Sequence, residues 1–173
     1  VTAVSRLLGE QKAVIITTLD GCMDPLLPLE VLKKYVMTIG VGSVLETEAM
    51  KLRLVQMGYE RVGQVEMPGQ FAIRGGIIDI YPLTEEYPVR VELWDDEVDS
   101  IRSFDAESQR SLENMDELTL YPAAELNPEE HHCEGVSLLD YMKQFRSLVF
   151  LDEGIRLLER GETVEKEYLQ NFE

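Results

Sequence analysis

Four short segments in the middle of the chain alternate between apolar and polar residues and are joined by short connections. They are 70–74, 76–81, 89–94 and 98–104. A period of two is the spacing of side chains on one face of a β-strand, and short links join strands that run antiparallel. The pattern therefore predicts an antiparallel meander at the centre of the chain.

A strand and a helix are predicted before this meander. Residues 35–39 read as the strand, and residues 48–57 carry apolar side chains at helical spacing. Gly58 follows where a helix C-terminal glycine belongs. A further strand pair is expected around 114–116, ending in 118–122. The helix can cover one face of the sheet, which makes the central part an α+β domain.

The two ends of the chain have a different pattern. Residues 13–18 and 147–151 are continuous apolar runs of the kind that form strands buried on both faces of a parallel sheet. Helices are expected near both runs, and residues 127–134 read as a linker. The predicted helices cover residues 4–8, 29–34, 136–143 and 155–172. The sequence thus predicts an antiparallel domain between two halves of an interrupted α/β domain.

Acidic residues outnumber basic residues, with 33 Asp and Glu against 16 Lys and Arg and a formal net charge of −17. Duplex DNA carries roughly one negative charge per 1.7 Å of axis and is bound by basic surfaces. The charge therefore argues against direct DNA binding by this chain and favours a protein partner.

The sequence also bears on where the protein works. No apolar run approaches the roughly 20 residues that cross a bilayer, and the N-terminus lacks a signal-peptide pattern. Cys22 and Cys133 lie far apart and form no disulfide framework, which fits a reducing cytosol. We expect a cytoplasmic protein with no membrane partner. Its first residue, Val1, suggests a piece of a longer protein.

The segment 89–94 is the best candidate for a binding surface. Val89, Val91 and Leu93 fall on one face of the predicted strand, while Arg90, Glu92 and Trp94 fall on the other. Tryptophan and arginine together are typical of interface hot spots. Two alternatives remain open at this point, because Trp94 could instead lie across Arg90 as a cation–π pair or be covered by a loop.

Arg74 is a second candidate for this surface. It ends an earlier strand just before Gly75 and Gly76, which permit a positive φ or a bulge that would redirect the neighbouring side chain. The spacing is equally compatible with an ion pair between Arg74 and a local acid.

Other clusters are weaker candidates. Residues 129–134 offer His131, His132 and Cys133, but their spacing matches no usual zinc pattern and favours a solvated linker. Asp95, Asp96 and Glu97 could hold Mg²⁺ in a metal-dependent nuclease or hydrolase, although a solvated hairpin turn is favoured. Residues 40–43 lack the Lys-Ser/Thr ending of a phosphate-binding loop. The sequence predicts no catalytic residue, metal or cofactor.

A dense series of residues resembles a known family. The series comprises 58–62, 68–82, 88–105 and 108–112, with Pro-Gly-Gln-Phe-Ala-Ile-Arg-Gly-Gly-Ile-Ile-Asp-Ile-Tyr-Pro over 68–82. It closely resembles the UvrB-homology module of the bacterial transcription-repair coupling factors (Mfd), and more distantly domain 2 of UvrB. The match is dense over 58–112 and collinear in the flanks, which is far more specific than a short motif.

The resemblance implies an architecture. A UvrB domain 2-like antiparallel sheet with a helix on one face would be flanked by partial α/β segments of a RecA-like domain that has lost its nucleotide site. Residues 1–36 would end the first half of that domain, 37–122 would form the inserted UvrA-binding domain, and 123–173 would begin the second half.

The resemblance also implies a function. In the family this middle domain binds UvrA through positions that match Arg74, Arg90 and Trp94, with Glu92 at an acidic position of the same surface. The family usually has Phe where this chain has Trp94. The chain would recruit UvrA without catalysis, and a UvrB fragment is the alternative within the same superfamily.

Further implications concern the parent protein. The resemblance implies an ATP- and Mg-dependent DNA translocase whose motor lies outside this chain and whose RNA polymerase contact is made by another domain. It also implies that other domains of the same protein cover the UvrA-binding face at rest.

Overall fold

A computed structural model describes residues 4, 7, 8, 14–126, 128, 129 and 131–170, with the side chains of 168 and 169 excepted. These residues divide into two structural units. The first contains residues 4, 7, 8 and 30–126, and the second contains residues 14–29 together with the described residues from 128 onward.

The elements follow one another along the chain with short connections in the first unit. The helices are α1 (Leu19–Met23), α2 (Leu29–Leu32), α3 (Thr47–Gln56), α4 (Leu138–Gln144) and α5 (Gly154–Gln170), and a 3₁₀ turn covers Lys33–Tyr35. The strands are β1 (Met37–Gly40), β2 (Glu60–Arg61), β3 (Gln70–Arg74), β4 (Ile77–Ile80), β5 (Val89–Trp94), β6 (Glu97–Phe104), β7 (Ser111–Met115) and β8 (Glu117–Leu120).

Six of these strands form one sheet in the order β2-β3-β4-β5-β6-β7. From β3 to β7 every neighbour is antiparallel and consecutive in sequence, so the predicted meander is confirmed. The two-residue strand β2 adds to the edge in parallel with β3.

The predicted strand pair around 114–116 exists as two strands that do not pair with each other. Strand β7 continues the large sheet beside β6, whereas β8 pairs with β1 in a separate two-stranded sheet. In that small sheet the hydroxyls of Thr38 and Thr119 are hydrogen-bonded at 3.0 Å. The hydrophobic pattern does not define these pairings, because β7 has four exposed residues and no alternating buried face, whereas β8 buries Leu118 and Leu120.

Helix α3 covers one face of the six-stranded sheet. Its Met50 and Leu54 are buried against inward-facing side chains of the strands, including Phe71, Ile78 and Val91. Burial of such side chains contributes roughly 1.5–3 kcal/mol each. The first unit is therefore an α+β domain, as predicted, and the opposite face of its sheet is available for other contacts.

The end of α3 is fixed by a Schellman motif. Gly58 has φ of +83°, its N–H donates to the carbonyl of Val55 at 2.9 Å, and the N–H of Tyr59 donates to the carbonyl of Leu54 at 3.0 Å. A Cβ at this position would collide with Ala124. The glycine is therefore required both by its φ and by close packing.

The second unit is mainly helical. Ser137 caps α4 in a reciprocal capping box with Asp140, and hydrogen bonds from Lys143 and Ser137 lower the pKa of Asp140 to about 2. The backbone groups of Leu26 and Val136 exchange two hydrogen bonds of 2.8 Å. An ion pair of 2.5 Å joins Asp20 on α1 to Arg160 on α5.

The predicted helices are largely confirmed. The helix expected over 29–34 is α2 continued by a 3₁₀ turn, and α4 and α5 correspond to the helices expected over 136–143 and 155–172. Val4, Leu7 and Leu8 are helical, while the rest of 4–8 and residues 171–172 lie outside the described residues.

The two predicted buried strands at the ends of the chain are wrong for the described residues. Residues 14–18 and 147–151 have no strand structure, and Val14, Ile16, Leu148 and Phe150 are exposed. Ala13 lies outside the described residues. A strand is stable only beside a partner that takes up its hydrogen bonds, and the described part of the second unit provides no strand to pair with.

We expect Gly58→Ala to destabilise the first unit more than Gly42→Ala does. Both glycines have positive φ, which costs an L-residue about 1–2 kcal/mol, but open space surrounds Gly42 whereas Ala124 blocks Gly58. Overpacking adds roughly 1–3 kcal/mol at Gly58. Urea unfolding followed by far-UV circular dichroism measures the difference, and equal losses would contradict the packing argument.

Candidate protein-interaction surface

Strand β5 presents different residues to the two faces of the sheet. Val89 and Val91 are buried in the core and Leu93 packs against it, while Arg90 and Glu92 are partly buried on the opposite face. Trp94, on that same opposite face, is 81% exposed. The predicted alternation is confirmed, and this second face, called the outer face below, carries the candidate residues.

Asp79 is the residue that organises the outer face. It lies directly opposite Arg90 in the β4–β5 pairing, and only 1% of its surface is exposed. Its Oδ1 accepts from Arg90 Nε at 2.6 Å, and its Oδ2 accepts from Arg90 Nη2 at 2.9 Å and from Arg74 Nη2 at 2.6 Å. One buried carboxylate thus binds both candidate arginines.

The guanidinium of Arg90 is held on three sides. Its carbon lies 4.4 Å from the ring centroid of Phe104, and its Nη2 also donates to Gln109 Oε1 at 2.9 Å. The hydrogen bond to Asp79 raises the pKa of Arg90, so the group is charged at every physiological pH. Among the described residues no hydrogen bond engages Nη1, which leaves its two N–H groups for a partner.

The cation–π pair of Arg90 is therefore made with Phe104. The alternative in which Trp94 lies across Arg90, or is covered by a loop of its own domain, is wrong because the indole is exposed. Only 14% of the Arg90 side chain is exposed, so most of this side chain is covered within the domain.

Arg74 was expected either to join the candidate surface or to pair with a nearby acid, and the structure shows both. It is ion-paired with Asp79, yet 47% of its side chain remains exposed on the outer face. It precedes a tight turn in which Gly75 has φ of +60° and the carbonyl of Gly76 accepts from the N–H of Leu93 at 2.7 Å. A side chain at Gly76 would approach the Leu93 carbonyl to 2.9 Å, so glycine is needed for this contact.

Glu92 is paired within the sheet. Its carboxylate accepts from Arg102 and, at 3.1 Å, from Ser100 Oγ, both on β6. Ser100 is its direct cross-strand partner. The carboxylate is therefore fixed in orientation while staying partly exposed.

Trp94 stands at the end of the β5–β6 hairpin. The turn residues Asp95 and Asp96 separate it from its cross-strand partner Glu97, which also bridges to Val44 on its other side. Directly opposed residues project to one face. The exposed side chains of Trp94 and Val44 therefore flank Glu97 on the outer face.

The other candidate residues, proposed for metal or phosphate binding, do not form a site in the structure. Asp95 and Asp96 form the hairpin turn, and within the part of the chain that is described no three His, Cys, Asp or Glu side chains are placed to hold a metal. Ser43 Oγ donates to the carbonyl of Gly40 at 2.6 Å, and Cys133 lies in a turn 3.7 Å from the carbonyl of Pro128. None of the described helices is long and apolar enough to cross a bilayer.

Sequence reasoning missed Asp79, Phe104 and Gln109. A signal for the first was present, since Asp79 is the single polar residue in Ile77-Ile78-Asp79-Ile80 and a carboxylate in an apolar strand requires a partner. Its pairing with Arg90 depends on the β4–β5 register, which the sequence does not define. Nothing in the sequence indicated the contact of Gln109, which lies beyond β6 in a loop.

Comparison with known proteins gives a consistent result. The family model for the UvrB interaction domain matches residues 37–126. The transcription-repair-coupling factor of Bacillus subtilis (strain 168) is 47% identical over 129 residues, which cover 73% of this chain and 11% of that relative. Those of Staphylococcus haemolyticus and Staphylococcus aureus (strain USA300) are 42% and 40% identical over 125 residues, covering 72% of this chain and 11% of each relative. The chain thus spans about a tenth of the length of these relatives.

We expect the single tryptophan to report directly on the outer face. Because Trp94 is solvated, its fluorescence should be quenched by acrylamide almost as efficiently as that of free tryptophan. Trp94→Ala should change the free energy of unfolding by no more than about 0.5 kcal/mol. Ile78→Ala, in the core face of the same sheet, should cost about 2–5 kcal/mol. A blue-shifted, protected indole would refute the assigned exposure.

Proposed function

Because the chain belongs to the UvrB interaction domain family, we propose that the outer face of its six-stranded sheet is a docking surface for UvrA. The observation that carries this proposal is the exposed indole of Trp94 on the same face as two ordered arginines. Within a transcription-repair coupling factor, the chain would recruit UvrA to RNA polymerase stalled at a DNA lesion.

The composition of the face supports this role. A tryptophan can bury on the order of 200 Å² at an interface, and solvent exposure of so much apolar surface has no benefit for the folded domain itself. Arg74, Arg90 and Glu92 lie on the same face, and their orientations are already set by Asp79 and Arg102. Groups ordered before binding lose less conformational entropy when the partner docks.

The partner surface must complement these groups. An apolar pocket would accept Trp94, and carboxylates or carbonyls would accept from Arg74 and from Nη1 of Arg90. Arg90 cannot offer the edge formed by Nε and Nη2, because Asp79 occupies it. The contact from Arg90 is therefore made through one nitrogen.

A non-catalytic role is favoured over the metal-dependent hydrolase. Asp95 and Asp96 occupy a two-residue hairpin turn, and among the described residues they do not join a third His, Cys, Asp or Glu in a group that could hold a metal. The relatives that match are transcription-repair-coupling factors, which favours that context over a UvrB fragment. The chain would need no cofactor, and ATP and Mg would serve a motor elsewhere in the parent protein.

Other parts of the proposal concern the parent protein. RNA polymerase would be bound through a region outside this chain, in the bacterial cytoplasm, and the chain itself would not bind DNA because of its charge of −17. The exposed indole also suggests that other domains of the parent protein cover the outer face when UvrA is absent.

We expect Arg90→Ala, Arg74→Ala and Trp94→Ala each to weaken binding to UvrA. A hot-spot residue typically contributes about 2 kcal/mol or more, which corresponds to a loss of roughly 30-fold in affinity. Titration of purified UvrA with each variant by isothermal calorimetry measures the change, after circular dichroism has shown that the variant is folded.

Leu52→Ala is the matched control for this experiment. Leu52 is an exposed apolar side chain on α3, on the other side of the sheet, so its removal should leave the affinity unchanged. Wild-type affinity in all three outer-face variants would reject the proposed surface.

A further inference from the structure

We propose that Asp79 is the positioning residue of this surface, which fixes the guanidinium groups of Arg74 and Arg90 in the arrangement that UvrA binds, without itself touching UvrA. This inference rests on the proposed function and adds to it a residue outside the predicted binding set. A side chain that is 1% exposed has almost no surface to offer a partner. Any effect of Asp79 on binding must therefore pass through the residues it holds.

The geometry joins three strands through one carboxylate. Asp79 lies on β4, Arg74 on β3 and Arg90 on β5, and both carboxylate oxygens are used. Oδ2 accepts from both arginines, so it sets their mutual separation as well as their individual orientations. Charge-assisted bonds of this kind are short and directional, which makes the arrangement rigid.

The contacts of Arg90 leave it little freedom. Two bonds to Asp79 fix the plane of the guanidinium, Phe104 supports one face of it, and Gln109 holds Nη2. A long side chain that is already immobilised loses less conformational entropy when a partner binds. Asp79 therefore makes a pre-ordered pair of donors from two residues that are flexible when unpaired.

If only net charge mattered, removing the carboxylate of Asp79 would have the opposite effect on the affinity for UvrA. The three side chains together carry two positive charges and one negative charge, so removing the carboxylate raises their sum from +1 to +2. If the arginines served only as point charges for an acidic partner, the loss of Asp79 would strengthen binding. If their arrangement matters, the same loss weakens it.

Asp79→Asn in the present chain separates these two cases. Asn keeps the shape of the side chain and one acceptor but loses the charge and the second acceptor. We expect its affinity for UvrA to fall about tenfold in calorimetric titration, as two arginines lose their fixed positions. Unchanged or tighter binding by the folded variant would overturn the inference.

Double mutants show whether Asp79→Asn lowers the affinity for UvrA by acting on Arg90. In the Arg90→Ala background, Asp79→Asn should cost clearly less than in the wild type, whereas in the Trp94→Ala background it should keep its full effect. A general loss of structure would lower affinity by the same factor in both backgrounds, and that result would also overturn the inference.

Two further variants complete the test. Glu48→Gln removes a carboxylate that pairs with Lys51 at 2.7 Å on the exposed side of α3, and it should leave UvrA affinity unchanged. If Asp79→Asn does not fold, Asp79→Glu decides, because glutamate keeps the charge but moves the carboxylate by one methylene group and so shifts the positions in which both arginines are held. Wild-type affinity in Asp79→Glu would overturn the inference, and a severalfold loss would support it.

The outcomes distinguish this inference from the function on which it rests. If Arg90→Ala and Trp94→Ala bind UvrA like the wild type, the docking surface itself is wrong. If both lose affinity while Asp79→Asn does not, the docking surface stands and the positioning role of Asp79 is rejected.

Discussion

The outer face of the sheet is built around a carboxylate that could not stay buried alone. Asp79 sits in an apolar strand with 1% of its surface exposed, and an unpaired charge in such a place costs several kcal/mol. Arg74 and Arg90 remove that penalty by donating three hydrogen bonds. The same interaction thereby compensates the buried charge and gives the two arginines fixed positions.

The separation of the two faces makes this arrangement possible. Helix α3 and the inward residues of β3 to β6 form the core, so the outer face can carry charged side chains, with the buried ring of Phe104 packed against Arg90. A bulge in β6, where Asp99 has no partner on β5, keeps both Val98 and Ile101 in the core. The hairpin that follows β5 can then turn at Asp95 and Asp96 with Trp94 projecting outward.

Local periodicity was enough to predict the meander, helix α3 and the faces of β5, because each depends on residues close in sequence. The bond between Asp79 and Arg90 was not predictable, since it needs the register across the loop that joins β4 to β5. The strands expected at 13–18 and 147–151 failed for a related reason. An apolar, β-branched run has a high β-strand propensity, but a strand forms only where a partner strand takes up its backbone hydrogen bonds.

The arginines and the tryptophan of the outer face differ in how firmly the domain holds them. Arg90 is held by Asp79, Phe104 and Gln109, whereas the indole of Trp94 is largely exposed at the end of a hairpin. In the docking role proposed for this face, the ordered arginines would set the orientation of the partner, and the exposed indole would enter an apolar pocket of it. The fold therefore tolerates a change of side chain at position 94 more readily than at position 90, because only Arg90 is paired with a buried charge.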